Sequence, residues 1–503
     1  MSQNQTPPAV CDVLIVGAGP VGVALANLLG TWGVDTVLLD RHQGVLQVPR
    51  GVHLDGETLR ITQSMGLAHE ALAVLRQGSV MQWVNADNEL LLERRAITGL
   101  GPQGWHNNNY YHQPQLEAAL RAGLPRFAHV HVHEGWTLRD LSPLDEGVRA
   151  HCVATADEAQ SHHIEARYVV GCDGARSQVR ARLSGDDYET LDQPQAWLVV
   201  DGLVHHPLDL PEWSVQHCDP ARPATSIFVN ALRRRWELMV LPGEDGEALL
   251  EEARLWSLLA PWVKPTQATL ERAAIYTFHA RLARCWQRDR ILIAGDAAHQ
   301  TPPFLGQGLC AGLRDASNLA WKLAHALQHP ATAARILATY GPERMPHARA
   351  FVQLAVDVGQ VIQELDPAKA AERDARMRQE GLSFAFPSPV LGPGVHRARD
   401  SAPAVGQVAP QFEMADGRWS DDCAPQQWSL WVHPDAQVMP AVCEQAQAMG
   451  MAVLMADRPP MQAWLRDQQA VAAILRPDRY VYDLCADGGA LHGALTACRE
   501  DWS

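Results

Sequence analysis

A chain of 503 residues exceeds what one ordinary hydrophobic core holds, so two or three domains are expected. With 47% hydrophobic and 20% charged residues it reads as soluble and globular, and a formal charge of −15 argues against a general nucleic-acid or anionic-membrane surface. Ten cysteines without C-x-x-C pairs or Cys/His spacing point to reduced thiols in the cytoplasm and to no metal centre, and "MSQNQTPPAV" lacks the cationic region of a secretory signal.

The first apolar stretch, Val13 to Val34, is uncharged and long enough to suggest a membrane helix. Its early glycines and proline instead predict a strand, a tight turn and a helix start, with Gly17, Gly19 and Gly22 in G-x-G-x-x-G register and Pro20 and Val21 between them. The first glycine permits the turn, the second lets a pyrophosphate approach the backbone, and the third lets helix and strand pack closely. The helix N-terminus then turns its positive end to the phosphates. A second strand, "DTVLLD", ends at Asp40, next to Arg41, where a carboxylate accepts hydrogen bonds from an adenosine ribose. An acid there favours FAD or NAD over NADP.

Farther on, "ARYVVGCDGARSQVR" places Asp173 and Gly174 after another apolar strand, with Ser177 and Arg180 following. The middle of the chain, 186–275, carries "AWLVVDGLV", "TSIFVN" and "RRWELMVLPGE", whose period-two features predict an antiparallel sheet covering a pocket. No second G-x-G-x-x-G appears, so no separate Rossmann site for a reductant is evident. The stretch "ILIAGDAAHQTPPFLGQG" is a strand ending in Gly295 and Asp296, then a Pro- and Gly-rich loop leading into a helix. A carboxylate ending a buried strand needs a polar partner, and the chain alone does not supply one. That helix carries Leu313, Ala316, Ala320, Leu323, Ala324 and Leu327 on one face. Beyond a loop-rich stretch to about 410, "WSLWV", "MAVLM", "AVAAILRPDRYVYDL" and a terminal helix predict a small α/β unit.

Three ordered motifs, Gly17 to Gly22, Asp173-Gly174 and Gly295-Asp296, resemble those of the FAD-dependent aromatic hydroxylases, group A flavoprotein monooxygenases of the p-hydroxybenzoate and phenol hydroxylase superfamily. Within it the chain is most similar to the 3-(3-hydroxyphenyl)propionate hydroxylases. The resemblance implies an α/β fold: a Rossmann-like FAD-binding domain (1–185 and 276–365, with 80–105 in the substrate sheet), a p-hydroxybenzoate hydroxylase-like substrate domain (186–275), a linker (366–410) and a small thioredoxin-like C-terminal domain (411–503). That last unit lacks C-x-x-C, so Cys443, Cys485 and Cys498 read as packing residues, and a structural role or contact between two copies of the chain is expected for it rather than chemistry.

By the same resemblance, Asp296 bonds the ribityl chain of FAD, and Pro303, Gly306, Gly308 and Leu309 belong to a loop whose amides face the flavin pyrimidine. Asp173, Arg50 and Gln113 occupy further cofactor-contacting positions, while Cys310 stands where many relatives have Asn. The implied reaction takes electrons from NADH or NADPH, bound transiently, and oxygen from O2, converting a phenolic acid such as 3-(3-hydroxyphenyl)propionate to a catechol through a C4a-hydroperoxyflavin. Ring attack is favoured by a deprotonated phenol, so a base is wanted. His53 is the first candidate, with Tyr110, Tyr111, His112 and His217 behind it. Arg222 is a candidate for a substrate carboxylate, with a structural ion pair as its alternative. A heteroaromatic, polyketide or other phenolic substrate, or a flavin-holding interaction protein, are the competing readings.

Overall fold

The computed structural model describes residues 6–48, 50–380, 389–397, 402–436 and 440–502. Two large sheets and two small ones organise them, the smallest joining His53–Leu54, Asn109–Tyr111 and Leu75–Gln77. In the first sheet the strands Ile291–Ile293, Asp157–Gly171, Val10–Val16, Thr36–Asp40 and Val130–Glu134 lie side by side and parallel. Where these strands meet at the centre of the sheet they are apolar and buried: Val13, Leu14 and Ile15 are fully buried, as are Val169 and Val170. Register sets the consequence for function. Val16 pairs with both Gly171 and Leu39, and Gly171 pairs with Ile293. The three motifs therefore leave the sheet at one level, along its carboxyl edge, where open α/β sheets bind ligands.

The second sheet is mostly antiparallel and runs His299–Gln300, Ala268–Ala283, Tyr188–Val204, Arg233–Met239, Ala224–Asn230, Ser214–His217, Val80–Val84 and Leu90–Arg95. The strand Ala268–Ala283 is continuous, so the boundary expected at residue 276 falls inside it. It pairs with Tyr188–Val204 along its whole length, and Arg281 and Leu282 also pair with His299–Gln300 beside the Gly295-Asp296 turn. Directly opposed residues in such a sheet share a face, which separates the two sides cleanly. Trp236, Leu238, Leu198 and Val200 point outward, under the helix Glu252–Leu259. Trp197, Asp201, Arg235 and Glu237 lie on the opposite, inner face.

Part of the expected linker is helical, Pro367–Glu380, since "PAKAAERDARMRQE" is built almost wholly of strong helix formers. The C-terminal unit has a four-stranded sheet in the order Ala452–Met455, Ser429–Val432, Ala472–Leu475, Val481–Cys485, with the first pair parallel and the others antiparallel. Helices Pro440–Ala448, Pro459–Asp467 and Gly488–Trp502 complete a βαβαββα order. It docks on the long helix Gly308–Gln328, where Trp321 meets Trp428 edge to face. No described helix is long and apolar enough to cross a membrane.

Candidate active site

At the first turn, Gly17 has φ +104° and a Cβ there would lie 2.5 Å from the Cys172 carbonyl oxygen, while one on Gly22 would lie 1.9 Å from that of Gly17. Neither position tolerates a side chain. The space beside Gly19 is open by contrast, and Pro20 starts the helix Pro20–Thr31. This is the geometry a pyrophosphate needs. Asp40 lies level with the turn, accepting from the amides of Ala18 and His42, each at 2.7 Å, and Arg41 is exposed with its Nε on His42. Arg121, which the sequence reading missed, donates to the Ala18 carbonyl and to Glu134 and so braces the loop from below.

Asp173 caps the next helix, accepting from Ser177 Oγ and the Gln178 amide, and Gly174 follows with φ +79°. Burial raises its pKa, and those hydrogen bonds oppose the rise. Arg180 donates to the carbonyls of Ala297 and Ala175, tying this motif to the Gly295-Asp296 turn. In that turn Gly295 has φ +63° and touches Val21. Behind it Asp315, fully buried, accepts from the Gly295 amide at 3.1 Å, His299 Nε2 at 2.7 Å and Arg344 Nε at 2.9 Å. A charged pair inside an otherwise apolar helix, "LRDAS", was the available sequence signal for Asp315.

Asp296 itself remains solvent-accessible, yet its protein surroundings raise its pKa by desolvation, with His299 and Arg50 opposing. Among the described residues no hydrogen bond reaches its carboxylate. A carboxylate without donors at the floor of a cleft fits a ligand rich in hydroxyls, as the ribityl chain of FAD is. After it, the loop turns through Pro303–Leu305 and Gly306, φ +62°, into the helix that begins at Gly308. Leu309 is half-buried beside this helix start. The helix thus presents its positive end to the same cleft.

His53 packs under this loop, where a Cβ on Gly306 would lie 2.7 Å from its own Cβ. It is buried, burial lowers its pKa to about 4, and its Nδ1 has no hydrogen-bond partner. Cys310 Sγ lies 3.7 Å from the His53 carbonyl, and burial raises that thiol to about 12, so it is not a thiolate. The His53 ring meets Tyr110 edge-on at 5.9 Å, and Tyr110 accepts from Ser214 Oγ at 2.8 Å. Tyr111 is buried with an unpartnered hydroxyl, and burial raises its pKa. His112 is half-buried in the lining of a small pocket together with Tyr111, Asp201 and Arg235. Gln113 Oε1 accepts from the amides of Arg50, at 2.9 Å, and Gly51, at 2.7 Å, so it holds the Arg50 loop. Arg50 is exposed, and its carbonyl accepts from Arg235 Nη1 at 2.8 Å.

Two candidates are corrected. His217 pairs with Ala224 on the outer face of the sheet, stacks edge-on against Trp262 at 5.3 Å and bonds Ser226 Oγ. Arg222 is held by Glu244 through two contacts of 2.8 and 2.5 Å and donates to the Met239 carbonyl. Its guanidinium is committed to a structural ion pair, the alternative reading of that residue, and is not available to a substrate carboxylate. Another buried set was missed: Arg314 joins Asp55 and Glu57, both at 2.6 Å, and Tyr480 of the C-terminal unit lies 3.0 Å from Glu57.

A family model described as an FAD binding domain matches residues 10–355. A relative in Rhodococcus jostii (strain RHA1) named a probable NADH-specific resorcinol 4-hydroxylase is 34% identical, over 98% of this chain and 96% of its own. The chain belongs to the FAD-dependent aromatic hydroxylases. A 3-(3-hydroxy-phenyl)propionate/3-hydroxycinnamic acid hydroxylase 2 of Burkholderia vietnamiensis (strain G4 / LMG 22486) is 35% identical, over 93% of each chain. Among solved structures, the flavin-dependent monooxygenase PieE matches with a TM-score of 0.82 at 20% identity, over 99% of this chain and all of the other. Aklavinone-11 hydroxylase follows at 0.80 and 22%, with the same coverage. At these identities the structures establish the fold of the hydroxylase, not its substrate.

Proposed function

We propose that this hydroxylase inserts one oxygen atom from O2 into a phenol ring, ortho to the existing hydroxyl, with NADH or NADPH as electron donor, and that the ring carries a second polar substituent meta to that hydroxyl. The two relatives named above support the substitution pattern, since resorcinol and 3-(3-hydroxyphenyl)propionate are both meta-substituted phenols. Bound FAD would supply the electron store and the oxygen activation. Gly19, Asp40, Arg50, Asp173 and Asp296 would hold it, and the amides from Pro303 to Leu309 would face its pyrimidine ring. His53 takes the phenol proton. The observation that carries this reading is its position: a neutral imidazole with an unpartnered Nδ1, packed against Gly306 of the flavin loop and ringed by Tyr110 and the loop helix. A neutral imidazole at working pH accepts a proton, and the phenolate it leaves directs electron density to the ortho carbon. The C-terminal unit reads as thioredoxin-like, supported by its strand order, and serves structure rather than redox chemistry.

The test is product formation from a meta-substituted phenol under ¹⁸O2 with NADH. One labelled oxygen per product, ortho to the original hydroxyl, is expected. Label arriving from water, or NADH oxidation without product, would contradict the reading.

A further inference from the structure

The C-terminal unit also grips one short helix of the body, Gly56–Ser64, from end to end. In its first turn Glu57 accepts from the Tyr480 hydroxyl at 3.0 Å. In its middle Arg60 gives Nε and Nη2 to Asp421, each at 2.7 Å, with both side chains buried. At its end Gln426 Nε2 donates to the Ser64 carbonyl and Gln63 Nε2 to Asp422, both at 2.7 Å. A helix of nine residues held at three points is fixed in place from the C-terminal side.

That helix leads back to the candidate base. The strand His53–Leu54 runs into it through Asp55, its N-cap, which accepts from the Thr58 amide at 2.9 Å and the Thr58 hydroxyl at 2.7 Å. Arg314 bridges Asp55 and Glu57, at 2.6 Å to each, from the helix Gly308–Gln328 that leaves the flavin loop. His53 is packed between these anchored pieces, against Gly306 and with its carbonyl 3.7 Å from Cys310 Sγ. The path Tyr480, Glu57, Arg314, Asp55 therefore ends two residues from His53.

Hydrogen counting shows what Tyr480 contributes. A carboxylate only accepts, so the one hydroxyl proton of Tyr480 goes to Glu57, and His347 Nε2, 3.3 Å away, donates to the phenol oxygen. Glu57 Oε1 takes the Tyr480 proton and Oε2 takes Arg314 Nε. Without the hydroxyl, Glu57 draws harder on Arg314 at the expense of Asp55.

We propose that Tyr480 is a positioning residue for the hydroxylation step: through Glu57 and Arg314 it fixes the cap at Asp55, and with it the place and the charge surroundings of His53. The assignment rests on the reading of His53 as the base and brings the C-terminal unit into its control. The titratable and charged groups facing His53 are Asp55 from its own segment, Arg94 from the edge strand of the substrate sheet, Tyr110 from the neighbouring strand and Cys310 from the loop helix. Burial lowers the His53 pKa to about 4, Asp55 opposes this and Arg94 adds to it. Burial would raise the Asp55 pKa, but Arg314 and the Thr58 donors hold it at about 2, so Asp55 is ionised at any working pH. When Arg314 shifts toward Glu57, the Asp55 charge is less offset, the imidazolium is favoured and the His53 pKa rises.

The experiment records kcat and KM for hydroxylated product from resorcinol across pH, in the FAD-loaded full chain and in Tyr480→Phe, His53→Asn and Glu343→Gln. Tyr480→Phe keeps the ring and removes one hydroxyl. Its flavin content and KM should hold, kcat should fall about tenfold, and the acid limb should move up by about half a pH unit or more. Glu343→Gln loosens the docking of the same unit without touching the Glu57 link, so it should lower thermal stability and leave the limb in place. If Tyr480→Phe does not fold, Glu57→Gln replaces it, with the limb expected to move down because Arg314 then serves Asp55 alone. An acid limb left in place by the variant read, an equal shift in Glu343→Gln, or a loss confined to flavin content or thermal stability overturns the positioning role. A limb that survives His53→Asn, or no product from the unaltered protein, overturns the reading of His53 and the positioning role together.

Discussion

Two buried charge networks in this molecule differ in how completely they are bonded. Where the C-terminal unit meets the body, Glu343 accepts from Lys322 at 2.7 Å, Arg476 at 2.9 Å, Asn318 at 2.9 Å and the Val395 amide at 2.6 Å. Arg476 in turn joins Asp478 and the Val395 carbonyl. All of these side chains are buried, and every charge has its partner inside the protein. In the pocket under the substrate sheet, Asp201 and Tyr111 are also buried, but Asp201 Oδ2 and the Tyr111 hydroxyl have no hydrogen-bond partner among the described residues. A saturated network holds two parts of a chain together. An unsaturated one beside a cleft is finished by what binds there.

The saturated network should respond most to damage. Arg476→Ala leaves Glu343 and Asp478 short of a cation, and about 3–5 kcal/mol of stability should be lost. Thermal and urea unfolding check this, and a loss under about 1 kcal/mol would place the network's weight elsewhere. The same network sets an acid limit. Its cations hold the Glu343 pKa far below the ordinary value, so its contribution is present above the unfolded carboxylate pKa and fades as pH falls through and below it.

At the unsaturated site, His53→Asn should lower kcat/KM for a phenol by about 100-fold, the lower range for a lost general base. Because burial lowers His53 to about 4, the acid limb of the unaltered enzyme should lie near that value rather than near 6.5, and should vanish in the variant. An acid limb near 6.5 that survives the substitution would assign the base to another group. Asp296→Ala should weaken FAD retention by about 1–3 kcal/mol, measured by flavin fluorescence on dilution. Unchanged affinity would remove Asp296 from the cofactor site. The smallest effect is expected for Arg222→Lys. Its partner Glu244 is part-exposed, so stability should change by less than about 1 kcal/mol and KM for either phenol should not move.

The same contrast explains what could be seen in the sequence. The cofactor half announced itself because each motif is local: a strand, its terminal Gly or Asp, and the helix that follows lie within one short stretch, and parallel register then aligns them. Asp296 was even recognisable as a carboxylate lacking a partner. The substrate face was hidden because strand neighbours point opposite ways. Gln216 faces the cleft and His217 faces outward, a difference of one residue that depends on register with Ala224 and Thr225. Glu237 and Asp201 are distant in sequence and meet only through that pairing. Arg222 carried the right chemistry for an anion, but its partner, Glu244, lies across a turn whose geometry no spacing rule supplies. The contact of Tyr480 with Glu57 spans most of the chain and left no local trace.

The decisive measurement is an equilibrium titration of the oxidised flavin's absorbance with resorcinol, in the unaltered protein, in Tyr111→Phe and in Glu343→Gln. A ligand that completes the unsaturated site should give a saturable spectral change, a weaker Kd in Tyr111→Phe, and the unaltered Kd in Glu343→Gln despite its lower thermal stability. An equal Kd in the protein and Tyr111→Phe, or a larger loss in Glu343→Gln, would show that the unsaturated pocket does not read the substrate.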